Sequence, residues 1–272
     1  MKKWLVTVGV VAVSVVSVRA DVTVVQTMTM EGAAAAAIGG AQLPRITMRI
    51  KGQKSRADID VNGQVVSSIA DIAARQVIVL TAATKTATIT TPASIAAGGA
   101  PVTMPKVDMS FKPTGKTQTI DGQPCEEHTL MMTIDMAEMM GQGQAPPEAA
   151  AMMKDVRMVM NGSIWIARGA PGAAEFAAFN KAAMETNLLS AVTGMVPGKS
   201  GGLDKLMEAA AAAPGIPYLT EMTMVFEGSG PMVEAMKQMG PMKMIQKVAS
   251  VSTDAIAADA FNVPEGYTIE KK

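Results

Sequence analysis

The chain has 272 residues, with 24 basic and 24 acidic side chains, so its formal net charge is zero. This balance leaves no excess positive charge to attract nucleic acid or an anionic membrane surface. The single cysteine, Cys125, excludes a disulfide within the chain. The fold must therefore depend on burial, which a chain of this length can supply.

The first 20 residues have the features of a secretory signal. Met1-Lys2-Lys3 is basic, residues 4–18 form an uncharged apolar run, and Ala20 supplies a small residue at the cleavage position. The run is too short to cross a hydrocarbon core, which needs about 20 helical residues. We expect cleavage near Ala20 and a periplasmic or secreted mature protein with no integral membrane span. Removal of the signal's three basic residues leaves a net charge of −3.

The segment after the signal alternates apolar and polar residues. Apolar side chains occupy positions 22, 24, 28 and 30, with Gln26 among them, and Ile46, Met48 and Ile50 repeat the pattern. A period of two places each set on one face of a strand. One buried face and one hydrated face favour an antiparallel sheet over βαβ units.

Two Asn-Gly pairs lie between strand-like segments. Asn62-Gly63 and Asn161-Gly162 both suit a type I′ turn, so we predict a hairpin at each. The second would join a strand at residues 156–160 to one at 163–167. Further strands are predicted at residues 75–80, 85–90, 116–120, 126–136, 218–226 and 244–253.

Helical periodicity is found in the second half of the chain. Helices are predicted from Gly172 to about Val192, at residues 203–213 and at residues 231–239. Loops are predicted at residues 32–43, 91–105 and 141–148, which are rich in Gly, Ala or Pro. None of these loops is long enough to be an interdomain linker, so residues 21–272 are predicted to form one domain, although about 250 residues could hold two.

The sequence contains no phosphate loop, dinucleotide fingerprint or zinc-ligand spacing. Cys125 and His128 are the nearest approach to a reactive pair, but their odd separation places them on opposite faces of a strand. One histidine in the whole chain leaves little general acid–base capacity at neutral pH. We expect neither an enzyme nor a cofactor.

Methionine is unusually abundant, with 25 residues against nine aromatic ones. Three interpretations remain open, which are a core filled by methionine, a groove for a flexible apolar ligand, and soft-metal binding. Met-x-Met places two sulfurs about 7 Å apart on a strand, so a single pair cannot close around one ion. The candidate lining of an apolar groove is Met48, Met158, Met160, Trp165, Met222, Met224 and Phe226. The alternative Cu(I) ligands are Met28, Met30, Met242 and Met244.

Three short motifs carry a resemblance to a known family. They are TMRIKGQKSRADID at residues 47–60, GQPCEEH at residues 122–128, and FNVPEGY at residues 261–267. Together they resemble the bacterial envelope proteins catalogued as domain of unknown function 4412, within the lipoprotein-carrier (LolA/LolB-like) fold group. In this comparison His128 stands where the family usually has an aromatic residue. The stretches at 33–37 and 172–213 are longer than the resemblance leads us to expect.

The resemblance implies a mainly β (α+β) fold, a curved antiparallel half-barrel whose concave face is covered by helices. In better understood relatives that face shelters acyl chains, which makes lipid or a lipidated protein the expected partner. We therefore expect a non-enzymatic exported binder or carrier of an apolar ligand. The alternatives are Cu(I) binding through methionine pairs and a structural envelope protein without a small ligand.

Overall fold

The computed structural model describes residues 21–32, 44–91, 94, 107–137, 155–186, 188, 213–238 and 240–271. The expected signal, the predicted helix at 203–212 and most of the three predicted loops lie outside the described residues. Within the described part, no helix is both long and apolar enough to cross a bilayer.

Twelve strands form one sheet in the described residues. Their bounds are β1 Val22–Glu31, β2 Arg45–Lys51, β3 Lys54–Val61, β4 Gln64–Asp71, β5 Gln76–Thr81, β6 Thr86–Thr90, β7 Val107–Ile120, β8 Gln123–Asp135, β9 Arg157–Ala167, β10 Ile216–Glu227, β11 Met242–Ser252 and β12 Thr268–Lys271. The described helices of more than one turn are α1, Ala173–Glu185, and α2, Pro231–Gln238.

The spatial order of the strands is β12-β6-β5-β4-β3-β2-β1-β11-β10-β9-β8-β7. Every neighbouring pair is antiparallel except β12 with β6, which is parallel. The two outermost strands do not pair with each other, so the curved sheet is an open half-barrel. The predicted mainly β, antiparallel half-barrel is thereby confirmed.

One of the two predicted Asn-Gly hairpins is correct. Asn62 and Gly63 have φ values of 55° and 80° and join β3 to β4, as a type I′ turn requires. Asn161 and Gly162, by contrast, lie inside β9, which runs unbroken between β8 and β10. The second hairpin prediction is therefore wrong. Gly162 serves close strand packing instead, because a Cβ there would fall inside van der Waals contact with the Glu221 carbonyl oxygen.

Helix α1 covers one end of the concave face. It contacts both β2 and β10, so it lies across the strands between them. Its Phe179 and Ala183 are buried in a cluster that includes Val22, Ile50 and Tyr218. Gly172, with a φ of 74°, precedes the helix and packs directly on Val22. The helix predicted from Gly172 is confirmed over residues 173–185.

Helix α2 covers another part of the sheet. Its Val233 is fully buried beside Val156 and Met136, and Met158 and Phe226 pack against this cluster. The predicted helix at 231–239 is confirmed over residues 231–238.

The C-terminal segment covers the outer face of β4–β6. Its short 3-10 helix, Ala258–Phe261, places the Phe261 ring in a cluster with Ile69, Ile78 and Leu80. The alternate residues of β5, Val77 and Val79, pack on the inner cluster. Strand β5 is therefore covered on both faces, which accounts for its uninterrupted apolar run.

A charged network fixes this segment to the sheet. Asp58 accepts hydrogen bonds from Arg49, from Arg56 Nε at 2.8 Å and from Ser67 Oγ at 2.6 Å. Arg56 also donates to the Ala260 carbonyl at 3.0 Å. Burial alone would raise the pKa of Asp58, but the hydrogen bonds from Ser67 and the two arginines hold that pKa below its ordinary value.

Acid should therefore weaken the fold through Asp58. The Asp58 carboxyl is harder to protonate in the folded chain than in the unfolded chain. Its contribution to the free energy of unfolding is therefore fully present above the ordinary pKa of 3.8 and is lost as the pH falls through the lower pKa of the folded state. We expect urea unfolding to show a smaller acid-induced loss of stability for Asp58→Asn than for wild type below about pH 4. Equal losses in the two proteins would contradict this role.

Candidate functional site: a methionine face on the concave side

Strand register brings ten methionines together on one face of six strands. Within a ladder, directly paired residues have their side chains on the same face, with Cβ atoms about 4.5–5.5 Å apart. One row across β7–β11 is Met109, Met132, Met160, Met224 and Met242. The next row contains Met222, Met244 and Met30. Met28 lies two residues before Met30 on β1, and Met158 lies two residues before Met160 on β9, so both point to the same side as those neighbours. We call these ten side chains the methionine face.

The methionine face is continuous with the surface under helix α1. On β1, Val22 and Val24 belong to the cluster beneath that helix, and Met28 and Met30 lie on the same side four or more residues further along. Phe226, at the other end of β10, packs in the cluster beneath α2. The methionine face thus lies on the concave side beyond the area that α1 covers, and at Met158 it reaches the cluster beneath α2.

Methionine is segregated along the strands. Near α1 the inward residues are β-branched, as in Val22, Ile50 and Val248. β-Branched residues suit strands better than methionine does. Met48 also lies under α1, but ten inward methionines lie together further along the strands, and replacement of aromatic volume alone does not explain that concentration. The position therefore favours a role for flexible side chains or for sulfur.

The face is uncharged and half-buried. Met222 is 5% exposed, and the other nine methionines have intermediate exposure. The charged residues that alternate with these methionines point to the opposite side, as in the Lys243–Glu221 ion pair at 2.8 Å. Met131, also on that side of β8, is 54% exposed.

The predicted groove residues are only partly brought together. Met158, Met160, Met222 and Met224 belong to the methionine face, and Phe226 pairs with Met158 beside it. Met48 lies on the same side of the sheet but under α1, where it pairs with Val24.

Trp165 is the predicted groove residue that lies outside the methionine face. It pairs with Glu127 and Leu219, one residue out of phase with the methionines of β9. Its ring is buried in the cluster under α1, next to the register shift between Pro217 and Leu219 on β10. Trp165 is therefore a packing residue at the α1 end of the sheet.

The four alternative metal ligands all lie on the face. Met244 pairs with Met30, Met242 is two residues from Met244 on β11, and Met28 is two residues from Met30 on β1. The sequence prediction did not include Met132 and Met109, which also belong to the methionine face. These two belong to no Met-x-Met pair, so no short spacing within the sequence marks them.

His128 lies beside this face and carries an unsatisfied atom. It is 3% exposed, and its ring stacks on Phe111 with centroids 4.9 Å apart and planes 11° apart. In the described part of the chain, its Nδ1 is buried with no hydrogen-bond partner. An unpaired buried polar atom costs about 1–3 kcal/mol.

Replacing His128 by phenylalanine should therefore stabilise the protein. The change removes the unpaired nitrogen and keeps a ring against Phe111. We expect a gain of about 1–2 kcal/mol, or about 2–8 °C in thermal midpoint. His128→Gln, which keeps a polar group, should give no gain. A lower midpoint for His128→Phe than for His128→Gln would show that the imidazole has a partner.

Cys125 is placed as a packing residue. Its Sγ donates to the Gln123 carbonyl at 3.5 Å, and it lies in the cluster under α1. Burial raises the pKa of the Cys125 thiol. A backbone hydrogen bond at Ile120 lowers this pKa and the charge of Asp121 raises it, so the net shift is upward. A thiol held protonated is a poor nucleophile. The described residues also contain no cluster of three or more His, Cys, Asp or Glu side chains able to hold a metal ion.

Comparison with known proteins yields a distant structural likeness. No protein-family profile matches the chain, and no curated protein matches it. Its structure is similar to the crystal structure of an uncharacterized conserved protein from Thermus thermophilus, with 8% sequence identity and a TM-score of 0.37. That alignment covers 94% of this chain and 92% of the other.

Proposed function

We propose that the protein is a non-enzymatic, exported carrier that holds an apolar ligand, a lipid acyl chain or the acyl chain of a lipidated protein, on the methionine face. The observation that carries the proposal is the alignment of ten methionines in cross-strand register on one uncharged, half-buried face. Flexible thioether side chains adapt to a ligand that has no fixed shape.

The size of the face suits an acyl chain. Six neighbouring strands at about 4.8 Å spacing give the face a width of about 24 Å. Burial of about ten methylene groups would contribute about 8 kcal/mol at ~0.8 kcal/mol each. Before the entropy cost of binding is subtracted, that corresponds to a dissociation constant of about 1 μM, which is the tightest binding that this burial alone supports.

The test measures transfer of a fluorescent fatty-acyl probe from phosphatidylcholine vesicles to the protein, together with native mass spectrometry of protein purified from its own host. Wild type should carry acyl species and take up the probe. Met132→Gln and Met224→Gln introduce a polar amide of similar length into the face, so each should weaken uptake by about tenfold, or about 1.4 kcal/mol.

Met131→Gln is the matched control, because Met131 neighbours Met132 but lies on the exposed side of β8. It should retain wild-type uptake. A wild-type protein free of acyl species and unable to take up the probe would overturn the proposal. Equal losses from Met131→Gln and Met132→Gln would place any binding away from the methionine face.

A further inference from the structure

Two Met-x-Met pairs that are 18 residues apart in sequence form one compact block in the sheet. Met222 and Met224 on β10 pair with Met244 and Met242 on β11, respectively. All four side chains point to the concave side. Met222 is 5% exposed and the other three are half-buried, so the block is partly accessible from solvent.

The dimensions of this block suit a single ion. Cross-strand partners have Cβ atoms about 5 Å apart, and residues i and i+2 lie about 7 Å apart along a strand. Each Cβ of the rectangle is then about 4 Å from its centre, measured in the sheet plane. A methionine sulfur lies two bonds beyond Cβ on freely rotating bonds, so all four sulfurs can turn towards one point above the centre. Cross-strand pairing thus removes the obstacle that a single Met-x-Met pair presents.

The ligand set selects the metal. The block itself offers only thioether sulfur, since the intervening Thr223 and Lys243 point to the opposite face. Thioethers are soft ligands that suit Cu(I), whereas Zn²⁺ and Cu²⁺ prefer sites with nitrogen, oxygen or thiolate ligands. Two more methionines border the block, Met30 beside Met244 and Met160 beside Met224. They offer replacement ligands through which an ion could enter or leave.

We propose that Met222, Met224, Met242 and Met244 form a thioether site for Cu(I), with Ag(I) as its redox-inert mimic. This goes beyond the proposed carrier function, because the carrier uses the apolar surface and flexibility of these side chains whereas the metal site uses their sulfur atoms as ligands. Methionine-to-leucine changes test the metal site, since leucine removes the ligand atom and keeps a similar apolar volume.

The experiment is an anaerobic Cu(I) titration of the full chain against a chromophoric Cu(I) chelator, with Met222→Leu/Met244→Leu as the test variant and Met131→Leu as the control. Wild type and the control should compete for Cu(I). The test variant should bind about a hundredfold more weakly, because loss even of groups that only support metal ligands costs 10–100-fold.

A second measurement uses the wild-type protein alone, so it does not depend on the variant's folding. The ε-methyl NMR signals of Met222, Met224, Met242 and Met244 should shift on addition of Ag(I), whereas that of Met131 should not. X-ray absorption of the Cu(I) form should show sulfur as the only nearest neighbour. Cu(I) affinity equal in wild type and the double variant, unmoved methyl signals, or nitrogen or oxygen neighbours would each overturn the proposal. A wild-type protein that binds Cu(I) but takes up no acyl probe would overturn the carrier function and leave the metal site standing.

Discussion

Gly162→Ala should lower the free energy of unfolding by at least about 3 kcal/mol, the upper end of the usual cost of overpacking. A Cβ at this position would lie inside the contact distance of the Glu221 carbonyl oxygen, 2.8 Å from the Glu221 carbonyl carbon and 2.8 Å from Met222 Cα. All three atoms belong to the backbone of β10, so no side-chain rotation relieves the clash. Strands β9 and β10 would have to separate in the middle of the sheet.

The measurement is chemical unfolding of the variant, or its yield of soluble protein if it no longer folds. Gly169→Ala is the matched control, since Gly169 follows the same strand, lacks a positive φ, and would place a Cβ with no neighbouring atom within 4 Å. It should be neutral or stabilise by up to about 1 kcal/mol through the unfolded chain. A Gly162→Ala protein as stable as Gly169→Ala would show that the two strands are not closely apposed.

The same clash predicts an effect on the methionine face. Gly162 lies between Leu130 on β8 and Met222 on β10 in cross-strand register. Because it has no side chain, it leaves a gap between those two residues on the concave side. Any rearrangement that admits a Cβ must move the β10 backbone that positions Met222 and Met224. Probe uptake should therefore fall in Gly162→Ala even where the protein remains folded, and it should be unchanged in Gly169→Ala.

The wrong prediction at Asn161-Gly162 shows the limit of local sequence signals. Asn62-Gly63 and Asn161-Gly162 are identical as dipeptides, and both lie between strand-like segments. The first takes the positive φ values of a turn, whereas Gly162 is required by its close approach to Glu221 on the neighbouring strand. Glycine can be required by backbone freedom or by close approach, and only the neighbouring strand distinguishes the two.

Strand positions and inward faces were predictable from alternation, because side-chain direction is a property of each strand by itself. The placement of both methionines of a Met-x-Met segment on one face was predictable for the same reason. The assembly of ten methionines was not, because it depends on the order β1-β11-β10-β9, in which β1 lies beside a strand more than 200 residues later. Local spacing contains no information on that order.

The C-terminal motif illustrates a third case. The composition of the FNVPEGY segment does not indicate where in the fold it packs. The structure places Phe261 on the outer face of the sheet, where it covers Ile69, Ile78 and Leu80. Lys51 and Arg56 bond to the backbone just before this motif, at Ile256 and Ala260. Those two basic residues lie on β2 and β3, so these strands hold the chain that leads into the FNVPEGY segment.

Phe261→Ala should therefore destabilise the protein by about 3–5 kcal/mol, the usual cost of truncating a buried phenylalanine. Phe261 is 4% exposed, and its loss would leave a cavity over β4–β6. The expected fall in thermal midpoint is about 6–20 °C for a chain of this size. Hydrogen exchange should quicken first in β6 and β12, which the segment ties together through the Thr268 N–H bond to the Lys85 carbonyl at 2.8 Å.

Ile269→Ala is the control for this change, because Ile269 lies on β12 and is 55% exposed. Its effect should be within about 0.5 kcal/mol of zero, as for most surface substitutions. Phe261 packs on the outer side of the sheet, opposite the face that holds the methionines, so folded Phe261→Ala protein should keep its uptake of the acyl probe. A variant that loses uptake while losing little stability would mean that the C-terminal segment takes part in binding, and that the two faces of the half-barrel are not independent.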